Sequence, residues 1–328
     1  MRIVIGFLVF LGLAGPALAL CEGTDLIAGL PADTRATLDA AIADTPYPTG
    51  LLWQAERGDT RLTIFGTYHI RHDRTEAHAA ALTPYITRAD SAYFEMNRAD
   101  KARLQAAFGS DPGLMFITDG PTLPDLLEDG EWQLFKAEMA ARGFPGFMAA
   151  KMKPIWGSMM LGIGPCQARN GALSAEGIDE SLARAAAATD VPDRSLEDWR
   201  TAMTLFDIYP ADKQIEILRL SFAFADRADD LQHTLLQRYL AGEIALIWEF
   251  SRHLSLTEGG AEAERDFAIF EELLLTKRNR AWVDLLLTEA EGKTVFIAAG
   301  AAHLPGETGV LHLLEQQGFT ITPLAFDP

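Results

Sequence analysis

Leu62-Thr63-Ile64-Phe65-Gly66-Thr67-Tyr68-His69, early in the chain, and Val295-Phe296-Ile297-Ala298-Ala299-Gly300-Ala301-Ala302-His303, near its end, carry one pattern twice. An apolar run of strand length meets a Gly, and a His follows three residues later. A Gly at the strand end lets the backbone turn sharply, so the His can reach back over the sheet edge. Outward from the first run, Leu51–Glu56 reads as a strand hairpinned to Arg61–Phe65 through Arg57-Gly58-Asp59-Thr60. Thr75–Arg88 reads as a helix despite Pro84, and Ser91–Glu95 as a strand. Around the second run, Thr294–Ala299 is a buried strand, Gly306–Gln317 a helix closed by Gly318, and Phe319–Leu324 the last strand. Strand–helix–strand units of this length favour parallel pairing with a right-handed crossover.

The fold class that follows is α/β (α+β). The two chain ends, each a strand–Gly-x-x-His–helix–strand unit, build one mixed central sheet. A large helical insertion, about 101–292, lies between them, with its best helices at Glu131–Arg142, Ile178–Ala188, Ala211–Ala225, Leu231–Phe250 and Glu262–Thr288. Ala32–Ile42 reads as a short helix before the sheet. Open α/β sheets bind ligands beyond the carboxyl ends of their strands, which is where His69 and His303 fall.

Met1–Ala19 reads as a signal peptide: a basic start, an apolar run from Ile3 to Ala14, a break at Gly15-Pro16 and the A-x-A site Ala17-Leu18-Ala19. The alternative is an uncleaved anchor. With cleavage, residues 20–328 form a single domain that is periplasmic or secreted, with no stable membrane insertion. Export favours a bridge between Cys21 and Cys166, the two cysteines present, over two free thiols. The formal net charge of −18, from 28 Lys+Arg against 46 Asp+Glu, argues against a nucleic-acid partner, which needs clustered basic residues. Apolar residues at 48% and charged residues at 23% exclude a collagen, a coiled coil or a disordered main body.

Glu95 ends the strand Ala92–Met96. If that strand neighbours the first His-bearing strand, Glu95 and His69 share one edge, and with His303 they make a two-His, one-carboxylate set with open positions, as catalytic metals require. The bland alternatives are loop histidines satisfied by backbone groups and a surface acid. Arg278, within Thr276-Lys277-Arg278-Asn279-Arg280, sits either on a solvated helix face or beside a substrate carboxylate or oxyanion. Phe144–Gly164 holds four of the nine Met residues and reads as core or as an adaptable wall for apolar ligands. Motifs of the zincins, P-loop NTPases, α/β-hydrolases and dinucleotide enzymes are missing.

These residues resemble the TraB/GumN family, related to the Tiki and PrgY proteins. The resemblance runs from about Leu51 to Leu324. It rests on Gly66-Thr67-Tyr68-His69, Phe94-Glu95-Met96, Lys151-Met152-Lys153-Pro154, Gly177-Ile178-Asp179, Ser195-Leu196-Glu197, Lys277-Arg278-Asn279 and Gly300–Gly306 with Gly309-Val310. It implies a divalent-metal peptidase site with His69, Glu95 and His303 as metal ligands. Glu95 and Arg278 would be catalytic, followed by Asn279 and Glu197. The expected function is an exported metal-dependent hydrolase of peptides or small molecules, the ion being zinc, manganese, iron or cobalt. The competing expectation is a non-catalytic periplasmic protein that sequesters a peptide or small ligand, haem and iron included.

Overall fold

The computed structural model describes residues 21, 23–70, 72–171, 177–206 and 209–326, so the signal peptide read at 1–19 lies outside the described residues. Six strands form one sheet: β1 (Leu52–Arg57), β2 (Thr60–Thr67), β3 (Ser91–Phe94), β4 (Asp193–Ser195), β5 (Thr294–Gly300) and β6 (Thr320–Pro323). Their order across the sheet is β4-β3-β5-β2-β1-β6. The pairs β4·β3, β3·β5 and β5·β2 are parallel, while β2·β1 and β1·β6 are antiparallel, so the sheet is mixed. Both chain ends contribute, and β5 from the C-terminal end lies between β2 and β3 from the N-terminal end.

Four helices fix the sheet's surroundings near the site: α1 (Asp73–Thr87), α2 (Ile178–Ala188), α3 (Lys277–Glu289) and α4 (Val310–Gln316). The strands read as apolar runs because both faces are covered. On one face Val295, Ile297, Leu62 and Ile64 pack with Trp282, Val283 and Leu286 of α3 and Leu311 and Leu314 of α4. On the other, Phe296, Ala298, Phe65 and Phe94 pack with Leu82 and Ile86 of α1 and Ile178 and Leu182 of α2. Alternate residues of β5 thus belong to opposite cores, as a two-residue period requires.

Among the described residues between β3 and β5 the one strand is β4, three residues at the sheet edge, and the other named elements are helices. Two long helices expected from periodicity are subdivided. Leu231–Phe250 becomes Ala228–Leu240 and Ile244–Glu258, separated at Gly242 (φ +72°), whose carbonyl accepts from Gly50 N at 2.8 Å. Glu262–Thr288 becomes Ala263–Glu271 and α3, joined by a π-helical turn at Glu272–Thr276. The helix expected from Gly306 begins at Val310, since Gly306 holds φ +96°. The insertion has its own core, which includes Phe135, Met139, Ala149, Met152, Trp156 and Leu218. The buried members of the Met-rich segment 144–164 are therefore core.

A Cys21–Cys166 disulfide, with Cα atoms 5.6 Å apart, ties the N-terminal segment to the insertion. Among the described residues no helix is long and apolar enough to cross a membrane.

Candidate functional site

Three neighbouring parallel strands deliver the site. Glu95 follows β3, His303 follows β5 and His69 follows β2. The first His-bearing strand and the Glu-bearing strand do not touch, because β5 separates them. Register compensates: Phe94 lies opposite Ala298, and Thr67 opposite Gly300, so all three side chains emerge at one level. The glycines serve differently from the expected sharp turn. Neither Gly66 nor Gly300 has a positive φ. A Cβ on Gly66 would meet Ala301 Cα at 2.9 Å, and one on Gly300 would meet His69 Nε2 at 2.9 Å and Glu95 Oε1 at 3.2 Å. Both are glycine because there is no room for a methyl group.

Glu95 is the centre. Its Oε1 accepts from Gly300 N at 2.7 Å and stands 3.6 Å from His69 Nε2 and 4.0 Å from His303 Nε2. Its Oε2 accepts from Arg278 Nη2 at 2.7 Å. Burial alone would raise this carboxyl. The two imidazoles, the guanidinium and the Gly300 N–H reverse that and hold it far below the usual carboxylate range.

Each imidazole is held from behind at Nδ1. His69 Nδ1 lies 2.9 Å from Asp179 Oδ2, and His303 Nδ1 lies 2.5 Å from Asn279 Oδ1. Both partners are acceptors, so each ring carries a proton on Nδ1 and places Nε2 on the Glu95 side. The partners differ in charge, and the rings differ in consequence. Burial works against the His69 imidazolium, but the Asp179 carboxylate and its hydrogen bond, with Glu95 behind, raise the ring to about 9. His303 is pushed down to about 3, chiefly by burial; Glu95 pulls the other way, and Arg278 and His69 add to the lowering. His69 sits in a recess, yet its side chain is 60% exposed against 5% for His303, so the site opens on the His69 side.

Arg278 is 7% exposed and uses every donor it has. Nε and Nη2 bind Glu197 at 2.8 and 2.7 Å, Nη2 also binds Glu95, and Nη1 donates to Leu274 O at 3.0 Å and to His303 Nε2 at 3.2 Å. A guanidinium has five N–H groups, and these contacts occupy all five. The π turn before α3 supplies the Leu274 carbonyl. Asn279 is 1% exposed and donates Nδ2 to Thr308 O at 2.8 Å. In this geometry Arg278 contacts Glu95 and His303, and Asn279 contacts His303. Trp282 closes the wall: its ring centroid is 4.3 Å from that of His303, and its Nε1 donates to Glu197 at 3.1 Å. The exposed members of the basic run, Lys277 and Arg280, face solvent.

Two imidazole nitrogens and a carboxylate oxygen are donor types that a divalent ion accepts. Ligand bonds of about 2.0–2.2 Å around a tetrahedral ion separate neighbouring donors by roughly 3.3–3.6 Å. The His69–Glu95 edge matches that and the His303–Glu95 edge is wider. Among the described residues no three His, Cys, Asp or Glu side chains already stand at ligation spacing. The His303 lone pair that an ion would use now accepts from Arg278. A cavity of about 690 Å³ lies elsewhere, between helices of the insertion, lined by residues such as Ile217, Leu220 and Phe267.

The sequence reading of the residues missed Asp179 as a site residue, and Thr67, whose hydroxyl donates to Asp179 Oδ1 at 3.0 Å. An acid in the first turn of a helix reads as a capping charge, so nothing in its local pattern sets Asp179 apart.

A mixed sheet whose central parallel strands each end in a His or Glu directed at one point defines a protein with a strand-end polar site enclosed by a helical insertion. Residues 51–323 match the TraB/PrgY/gumN family, and the chain belongs to that family. No curated protein matches the chain.

Proposed function

We propose that this protein is an exported metal-dependent hydrolase, acting on peptide bonds, in which His69, Glu95 and His303 hold the ion. The observation that carries the reading is the convergence of two imidazole Nε2 atoms, from opposite ends of the chain, on one carboxylate oxygen. When bound, a divalent ion supplies Lewis acidity to a carbonyl and acidifies water. Glu95 suits a ligand better than a general base. Its Oε1 faces both rings, and a carboxyl held so far down is a weak base. Arg278 keeps Glu95 ionised and oriented, while Asn279 keeps the His303 lone pair forward. The exposed edge of His69 is where a substrate enters. The Cys21–Cys166 bridge supports export, because such bridges persist in oxidising compartments.

The test is metal analysis of protein purified from the export compartment, with a peptide library assayed under zinc, manganese, iron or cobalt. Wild type should retain a divalent ion and cleave peptides, and a His69→Ala, His303→Ala double mutant should do neither. Glu95→Gln should lose ion and cleavage together. Ion retained with turnover lowered about 10²–10⁴-fold would make Glu95 the base instead. Identical products at one low rate from wild type and Glu95→Gln would leave a protein that binds without turnover.

A further inference from the structure

The segment Gly177–Asp179, from the insertion, grips the first Gly-x-x-His loop at two points. A Cβ on Gly177 would lie 2.5 Å from the His69 carbonyl oxygen, so the two backbones are in direct contact. Asp179 then reaches the ring, with Oδ2 2.9 Å from His69 Nδ1 and Oδ1 accepting from Thr67 Oγ1 at 3.0 Å. Asp179 is not the cap of α2. That work falls to Glu180, whose Oε2 accepts from Gly177 N at 2.9 Å and whose other oxygen binds Lys101. Both Asp179 oxygens are committed to the loop, and its side chain is 12% exposed.

We infer that Asp179 is the positioning residue for His69: braced by Thr67, it fixes the ring's rotation and its Nδ1–H form, so that Nε2 is presented to Glu95. The inference rests on the metal-site reading for its consequence, though not for its geometry. A carboxylate behind a ligating imidazole fixes the tautomer and raises ligand basicity, and removing it weakens metal affinity about 10–100-fold. It also adds to the insertion's part in the site, which already includes Glu197, Arg278 and Asn279. The insertion supplies the acceptor that the two sheet-forming ends lack, and His69, the more exposed of the two rings, depends on it.

The experiment compares wild type, Asp179→Leu, Asp179→Asn and Thr67→Val. The first readout is the imidazole nitrogen NMR spectrum of metal-free protein, at a pH high enough for the His69 ring to be neutral. Wild type should show one Nδ1–H form, Asp179→Leu a mixture, and Asp179→Asn and Thr67→Val intermediate spectra. The second is competition with a chromophoric chelator for zinc and cobalt. Affinity should fall about 10–100-fold in Asp179→Leu and less in the other two. The asparagine and valine variants keep side-chain shape and carry the test if the leucine variant does not fold. A His69 spectrum unchanged in every folded variant overturns the inference, whatever the metal result. If wild type binds no ion while the spectrum still depends on Asp179, the positioning role stands and the metal reading fails.

Discussion

Arg278→Met should be the most damaging single change at the site that leaves the sheet intact. Arg278 is nearly enclosed and is shared by Glu95 and Glu197, whose side chains are 17% and 8% exposed. Removing it leaves two largely buried carboxylates without their cation. Breaking a buried ion pair from one side costs about 3–5 kcal/mol. Arg278→Lys keeps the charge near both carboxylates but carries three donors on one atom, so the bonds to Leu274 O and His303 Nε2 are the ones lost. At about 1 kcal/mol for each neutral acceptor, that change should cost about 2 kcal/mol. Against a stability of about 5–15 kcal/mol, both are measurable by urea unfolding, and the methionine variant should have the lower midpoint. The pH dependence gives a second check. Glu95 is depressed in the folded protein, so its contribution is present above its ordinary value of 4.5 and is lost as pH falls below it. The gap between wild type and Arg278→Met should therefore narrow below about pH 4.5. Equal urea midpoints at neutral pH, or a gap that does not change on acidification, would refute the reasoning.

Three further outcomes follow from other parts of the molecule. His78 is 5% exposed, its Nδ1 has no hydrogen-bond partner among the described residues, and burial lowers its imidazole to about 4. Because that lies below the unfolded value of 6.5, stability is full above about pH 6.5 and falls by up to about 3 kcal/mol as pH drops towards 4; urea midpoints of His78→Phe should lack this part of the slope. Gly300→Ala should fold yet bind zinc or cobalt far more weakly than wild type in the chelator competition, since the new methyl group displaces the His69 ring; unchanged affinity would contradict the crowding described at Gly300. Intact mass with and without reductant should show a chain beginning at Leu20 with its cysteines paired, and Cys21→Ser should lose up to about 4–5 kcal/mol for a bridge closing 145 residues.

The frame of the fold was legible without coordinates because its signals are local. The apolar runs before Gly66 and Gly300, the hairpin turn at Gly58 and the i, i+4, i+8 spacing of Ile178, Leu182 and Ala186 each depend on residues a few positions apart. His69, Glu95 and His303 stood out for the same reason, as polar residues just past strand-like runs. What neighbours do not encode is which distant segment arrives beside them. Only the tertiary structure placed β5 between β2 and β3, brought Gly300 N to Glu95 across 205 residues and Asp179 to His69 across 110. It also decided what Arg278 touches. Its charge was visible in the sequence, but the count of engaged donors depends on Glu95, Glu197, Leu274 and His303 meeting at one guanidinium. Strand and helix periods are properties of the local chain, whereas sheet order and hydrogen-bond partners are set by packing, which brings together residues that no short pattern relates.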